Sequence, residues 1–124
     1  MIEEYAESYQ RIADALTPGL PKGWTEVFVL AEMRTSEVMV SGFARTKAPE
    51  PEWFEVPMPA YDAFRAMYVV ARDSGDPKVL WTSATLHLKN DGTFQVDYAY
   101  DPVPVEDQFD RIAAWAQSHG AGSP

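Results

Sequence analysis

The residues of this chain that could act in acid–base chemistry near neutral pH are its two histidines, His87 and His119. His87 lies on a predicted strand with Asp97 diagonal to it across a hairpin, and a carboxylate that orients an imidazole is common in general acid–base sites. No nucleophile can be placed with this pair, so we favour the alternative, a surface pair that adds little stability. His119 falls in a predicted C-terminal tail. The sequence therefore predicts no catalytic histidine.

Recognisable metal-binding and phosphate-binding patterns are missing from the sequence. The chain has no cysteine, which excludes thiolate metal sites, a cysteine nucleophile and a disulfide framework. No HxH, HExxH or EF-hand spacing occurs, and Asn90-Asp91-Gly92 has the chemistry of a turn. The 7 glycines are too dispersed for a P-loop or a dinucleotide fingerprint. We therefore predict no metal, no cofactor and no enzymatic activity.

Acidic residues dominate the charge of the chain, with 19 acids against 10 bases and a net charge of -9. The region from Asn90 to Asp110 contains no base, and its acids are Asp91, Asp97, Asp101, Glu106, Asp107 and Asp110. This charge argues against nucleic acid as a direct partner, because neutralising phosphates requires clustered lysines and arginines. Two interpretations stay open. The stretch is either a solubilising face or a surface complementary to a basic partner, such as the active site of a nuclease.

The acidic stretch begins in a predicted hairpin around Asn90-Asp91-Gly92. Apolar and polar residues alternate on both sides of the turn, as in two half-buried strands. A two-residue loop would put apolar and polar residues on the same face. A three-residue loop with Gly92 in the left-handed conformation instead pairs Leu88 with Phe94, Leu86 with Val96 and Ala84 with Tyr98. We therefore predict this loop and one continuous apolar face.

The other face of the hairpin is predicted to place Trp81 opposite Asp101, Thr85 opposite Asp97 and His87 opposite Gln95. Tryptophan is enriched at protein-binding hot spots. Of the 4 tryptophans, Trp81 is therefore the best candidate for an apolar anchor of a partner. The others are predicted to be core or partly buried support.

Hydrophobic periodicity predicts three helices, over residues 2–16, 60–73 and 105–118, separated from the strands by proline and glycine. Pro59 fits the first turn of the second helix. The inward stripe of the third helix is predicted to consist of Phe109, Ile112, Ala113 and Ala116, with Trp115 beside it.

The remaining β-rich segments complete the predicted sheet. Residues 24–33 and 38–45 form an antiparallel hairpin, whose register the mixed periodicity leaves open. Residues 53–56 form a short edge strand, since Pro49 and Pro51 before it lack ladder donors. The order α-β-β-(β)-α-β-β-α predicts an α+β fold with an antiparallel β-sheet of four to five strands and three helices.

Length and composition are typical of one globular domain. With 124 residues, of which 46% are hydrophobic, the chain can bury a single core. We predict a domain over residues 1–118 and a flexible tail over residues 119–124. The N-terminus lacks the basic and apolar segments of a secretion signal, and no apolar run approaches the roughly 20 residues of a membrane helix. The sequence thus predicts a cytoplasmic protein without membrane contact.

One combination of motifs runs through the second half of the chain. It consists of Trp81 opening a strand with Leu86-His-Leu88, the Asp91-Gly92 turn, Phe94-x-Val96-x-Tyr98-x-Tyr100, an acidic stretch and Arg111-x-x-x-Trp115. In this pattern the chain resembles the YezG-like family of immunity proteins, small bacterial antitoxins that neutralise the toxic domains of polymorphic or LXG-type toxins. The resemblance implies a non-catalytic binding protein whose cognate toxin is often a nuclease.

The function predicted from these observations is an immunity protein that binds and neutralises a cognate, basic toxin domain. The residues predicted to bind this partner are Trp81, Asp97, Asp101, Glu106, Asp107 and Asp110. The alternative is a different non-catalytic interaction or regulatory module, which associates with itself through an edge strand or binds another basic protein. The identity of the toxin and the oligomeric state stay open at this point.

Overall fold

A computed structural model of the chain describes residues 2–34, 37–103 and 108–120. Within these residues the α-helices are α1 (Ile2–Leu16), α2 (Met58–Asp73) and α3 (Gln108–Ser118). The strands are β1 (Glu26–Arg34), β2 (Glu37–Arg45), β3 (Glu52–Phe54), β4 (Ser83–Lys89) and β5 (Phe94–Ala99). The strands form one sheet in the order β3-β2-β1-β4-β5, with antiparallel neighbours throughout. The predicted α+β class and element order are confirmed.

The main core lies between one face of the sheet and the helices α1 and α2. Alternate residues of β1 and β4 project into it, among them Val29 and Leu86, which are fully buried. The helices contribute Ile12 and Leu16 from α1 and a largely small-residue face from α2, namely Ala60, Ala63, Phe64, Met67 and Ala71. Small side chains let α2 approach its neighbours closely, so the two helices pack side by side over this face.

The opposite face of the sheet carries α3 and a smaller cluster formed by Phe28, Phe43 and Ala116. Because both faces of β1 are covered, its residues from Val27 to Glu32 are all buried. A central strand of this kind has no regular apolar–polar alternation, which explains the mixed periodicity of the sequence here. The structure supplies the register that the sequence left open, with Phe28 opposite Phe43 on β2.

The second hairpin has the predicted register. Leu88 pairs with Phe94, Leu86 with Val96 and Ala84 with Tyr98. Lys89 N–H donates to the Thr93 carbonyl at 2.9 Å across a three-residue loop, and Gly92 has the left-handed φ of 91°. Thr93 also stabilises the Asp91 carboxylate by hydrogen bonds, which lower the pKa of Asp91. The three-residue loop is therefore confirmed.

Element boundaries differ slightly from the predicted ones. The edge strand β3 covers residues 52–54 rather than 53–56, and α2 begins at Met58, directly after Pro57. The third helix is described from Gln108 onward, and the predicted residues 105–107 lie outside the described part of the chain.

The predicted position of Trp81 on the polar face is wrong. Its side chain is only 1% exposed and contacts Tyr68 and Tyr98 on the core side of the sheet, with ring centroids 5.5 and 5.8 Å away. The ladder pairs Ser83 with Ala99, but Thr82 N–H also donates to the Ala99 carbonyl, at 2.8 Å. The register therefore slips before β4 begins, and a one-residue slip reverses the direction of the side chains.

The predicted burial of Phe109 is also wrong, because its side chain is 81% exposed. Ile112 and Ala116 do face the sheet, as expected. On β1, Glu32 pairs with Arg111 of the helix and stands opposite Ser83, the first residue of β4. Phe109 lies in the first turn of the described helix, ahead of this ion pair.

Candidate partner-binding surface

A buried ion pair fixes the start of α3 on the sheet. Arg111 donates from Nε to Oε2 of Glu32 at 3.1 Å and from Nη2 to Oε1 at 3.3 Å. Glu32 is 5% exposed, so this fork-to-fork contact satisfies a carboxylate that would otherwise be costly to bury. Sequence reasoning missed Glu32. The signal that could have identified it is a glutamate inside an otherwise apolar strand.

The second anchor of α3 is Trp115, one helical turn after Arg111. Its indole Nε1–H donates to Thr85 Oγ1 on β4 at 3.1 Å, and its ring meets Phe43 edge-on with centroids 5.5 Å apart. Residues four apart lie on the same side of a helix. The Arg111-x-x-x-Trp115 spacing thus directs both side chains at the sheet, so this motif of the second half of the chain has a structural role.

The C-terminal end of α3 is held by Arg45 of β2. Its Nη2 donates to the carbonyl of Gly120 at 2.6 Å and to that of His119 at 3.3 Å, which belong to the two residues after the helix. The ring of His119 packs against Phe28 at 5.1 Å. His119 and Gly120 therefore contact the sheet, whereas residues 121–124 lie outside the described residues and the flexible tail stays a prediction.

The predicted contact between His87 and Asp97 is wrong. His87 Nε2 instead lies 2.8 Å from Oε1 of Glu26 on β1. The His87 ring stacks on that of Phe28, with ring centroids 4.3 Å apart and an interplanar angle of 12°. The Asp97 carboxylate accepts from Gln95 Nε2 at 3.2 Å. The sequence could not indicate that β1 flanks β4 on the side away from β5. No group of three or more potential metal ligands occurs among the described residues.

The predicted acidic residues that the structure describes lie on or near the α3 side of the sheet. Asp97 is exposed opposite Thr85, and Asp101 is exposed just after β5. Asp110 is exposed in the first turn of α3. Because Glu32 stands opposite Ser83, and Ser83 opposite Ala99, the Arg111–Glu32 pair brings the start of α3 to the same end of the sheet as Asp101. Glu106 and Asp107 lie outside the described residues.

On the other side of β5, aromatic residues from α1 and β5 form a hollow of about 350 Å³. The Tyr9 and Tyr98 hydroxyls form a hydrogen bond. The pKa of Tyr98 is raised mainly by burial and secondly by this hydrogen bond. Trp81 lines the hollow, and its indole Nε1 has no hydrogen-bond partner among the described residues. Tyr100 is 53% exposed and borders the opening. We call this depression the tyrosine hollow.

Comparison with known proteins gives the class to which this fold and surface belong. The family model described as "Immunity protein YezG-like" matches residues 43–121, more than half of the chain. The chain therefore belongs to the YezG-like immunity protein family. It is similar to the immunity protein YezG of Bacillus subtilis (strain 168), with 27% identity over 125 residues that cover 86% of this chain and 82% of the relative. The matched range includes Arg111, Trp115 and the acidic stretch, but not Glu32.

Proposed function

We propose that this protein binds and neutralises the toxic domain of a cognate bacterial polymorphic toxin, and that this domain is basic and a nuclease. The family supports the role of an immunity protein. The observation that carries the choice of a basic partner is the exposed acidic surface of Asp97, Asp101 and Asp110 at the α3 side of the sheet. We extend this surface to Glu106 and Asp107, which lie between these residues in the sequence.

The three anchors of α3 support a rigid binding surface. Arg111, Trp115 and the Arg45 contact hold the helix at its start, middle and end. A surface that is ordered before the partner arrives loses less conformational entropy on binding. Exposed charges on such a surface mainly accelerate association, because they steer an oppositely charged partner into place.

We further propose that the protein acts by occlusion, without catalysis, in the cytoplasm. Both histidines are engaged in packing, since His87 stacks on Phe28 beside Glu26 and His119 packs against Trp115. The cysteine-free sequence is compatible with a reducing compartment. None of the described helices is long and apolar enough to cross a membrane.

Trp81 takes a different part in this proposal from the one that the sequence indicated. A side chain that is 1% exposed does not reach a partner without a structural rearrangement. We propose that Trp81 supports Tyr98 from behind and so maintains the shape of β5. Its replacement by alanine is expected mainly to lower the melting temperature of the protein. A change in the rate at which the toxin dissociates is expected to be secondary.

The experiment uses the cognate toxic domain, which we expect to be encoded by the reading frame directly upstream, produced as an inactivated variant. Asp97→Lys combined with Asp101→Lys should reduce the association rate about tenfold at low salt and weaken its salt dependence. The matched control replaces Glu55 and Asp62 by lysine, and both are exposed acids outside this surface. Both double variants change the net charge equally. Equal association rates for the two variants would contradict the proposed surface, and absence of toxin binding by the wild-type protein would contradict the proposed function.

A further inference from the structure

One long edge of the sheet is free within the described residues. β5 is the last strand in the sheet order and pairs with β4 alone. The hydrogen bond from Lys89 N–H to the Thr93 carbonyl shows that these two residues form a hydrogen-bonded pair of the ladder. Because antiparallel pairs alternate, the backbone groups of Gln95 and Asp97 point toward β4, and those of Phe94, Val96 and Tyr98 point outward. Among the described residues, the main-chain donors and acceptors of these three residues have no partner.

In the part of the chain that the structure describes, this edge is neither shortened nor interrupted by a proline or a bulge. It spans six residues, Phe94–Ala99, without proline, and its residues pair with β4 in unbroken register. Natural edge strands are commonly shortened, bulged or covered to avoid unintended pairing. The opposite edge of the sheet, β3, has three residues. The length and regularity of β5 thus distinguish it as the edge that can receive another strand.

Two hollows lie along β5 on the side that faces α1. The tyrosine hollow includes Val96 and Tyr98, and a second hollow of about 400 Å³ includes Phe94 and Leu88. Tyr9 of α1 borders both. Phe94 and Tyr98 are four positions apart, which corresponds to about 13 Å along a strand. Side chains four positions apart in an added strand lie on the same side of it and have the same spacing of about 13 Å, so they could enter the two hollows.

The other side of the same edge is polar and acidic. Gln95 and Asp97 are exposed on the α3 side, and Asp101 follows the strand. An added strand would therefore meet largely apolar hollows on one side and the Asp97 carboxylate on the other. A strand with apolar and basic residues in alternation has the matching pattern.

We propose that β5 receives an extended segment of the toxin by strand addition. Main-chain hydrogen bonds to Phe94, Val96 and Tyr98 hold the segment, its apolar side chains occupy the two hollows, and its lysines or arginines lie beside Asp97. This mode of recognition takes affinity from the main chain and specificity from pockets for alternate side chains. The inference rests on the proposed function, because it specifies how the same partner is bound.

A second copy of this chain is a poorer occupant of the edge. Each copy has a net charge of -9, and pairing of two β5 strands would bring the Asp97 carboxylates of both copies to the same side of the joined sheet. Like charges on neighbouring strands destabilise the pairing. A basic partner has the opposite effect, since its side chains are attracted to the same carboxylates.

Amide hydrogen exchange, measured by NMR on the full chain with and without the inactivated toxic domain, tests the proposal. Addition of the toxin should slow exchange at Phe94, Val96 and Tyr98 at least tenfold. The amides of Gln95 and Asp97 are the internal control, because they are already bonded to β4 in the free protein. Unchanged exchange at all three outward amides in a saturated complex would overturn strand addition. Concentration-dependent protection without toxin would overturn the choice of occupant.

A matched pair of substitutions provides an independent test. Val96→Pro removes one outward N–H without removing a bond to β4, whereas Val96→Thr keeps that N–H and the branched shape. We expect the proline variant to bind the toxin at least tenfold more weakly and the threonine variant to bind within threefold of wild type. Equal affinities of the two variants would overturn the inference, and a melting curve shows whether the proline variant is folded.

The two levels of the proposal fail differently in these experiments. Wild-type protein that neither binds nor neutralises the toxic domain contradicts the proposed function itself. Wild-type protein that neutralises the toxin, together with a folded Val96→Pro variant that binds equally well, contradicts strand addition alone. If the proline variant is unfolded, the exchange pattern of the wild-type complex decides the question.

Discussion

The buried pair between Glu32 and Arg111 offers the sharpest test of how this fold positions its surface. Glu32→Gln keeps the shape of the side chain but removes the charge that compensates the Arg111 guanidinium. Removing one partner of a buried ion pair typically costs about 3–5 kcal/mol. Since the Arg111 side chain is 22% exposed and reaches water in part, we expect the lower end of this range, about 3 kcal/mol.

A loss of this size is large for a chain of 124 residues and would lower the melting temperature by roughly 10–15 °C. Urea denaturation followed by circular dichroism measures the free energy of unfolding directly. Glu52→Gln is the control, because Glu52 is exposed on the edge strand β3. It should change the free energy of unfolding by less than about 0.5 kcal/mol.

Arg111→Met completes a double-mutant cycle. Because the two side chains share two hydrogen bonds, we expect an interaction energy of about 0.5–3 kcal/mol between them. An interaction energy near zero would show that the pair does not anchor α3. So would a Glu32→Gln variant that unfolds at the same urea concentration as the Glu52→Gln control.

Three further substitutions test other parts of the structure. Gly42→Ala should destabilise the fold by about 1–3 kcal/mol in urea denaturation, because the added Cβ would lie 2.9 Å from Cζ of Phe54. Gly19→Ala is the control, because a Cβ at Gly19 would have nothing within 4 Å. Equal stabilities of the two variants would contradict the close packing at Gly42. Burial raises the pKa of Tyr98 above its ordinary value of 10.0, so its neutral hydroxyl contributes stability that is present below pH 10 and is lost as the pH rises further. Stability measured between pH 9 and 11 should therefore fall more steeply for wild type than for Tyr98→Phe, and parallel curves would contradict this linkage. Phe109→Ser should leave the free energy of unfolding within about 0.5 kcal/mol of wild type, because the ring is 81% exposed, and a larger loss would mean that the ring is buried.

Local spacing in the sequence was enough to predict the order of the helices and the pairing of the second hairpin. In the hairpin, the alternation of Leu86 and Leu88 with polar residues, and the position of Gly92, allowed one loop length only, which the structure confirms. The two sides of this hairpin are close in the chain, so the pattern of a few residues fixes both the turn and the pairing. The acidic stretch was likewise visible as charge along the chain.

Contacts between distant segments were decided by tertiary structure alone. Arg111 and Glu32 are 79 positions apart, and His87 and Glu26 are 61 positions apart. No local period indicates which strand lies beside β4 or where α3 crosses the sheet. For that reason the sequence suggested Asp97 as the partner of His87, although the neighbouring strand β1 provides Glu26.

The burial of Trp81 and the exposure of Phe109 were also decided by tertiary structure. Alternation predicts the direction of a side chain only where the strand and its register continue, and the register slips at Thr82, just after Trp81. Helical periodicity predicts which side of α3 an apolar residue occupies, but not how deeply that residue is buried: Phe109 is 81% exposed. Spacing along the chain therefore determined the local elements and the charge of this protein, whereas the packing of distant segments decided which aromatic side chains are buried and which are exposed, because burial depends on neighbours that are remote in the sequence.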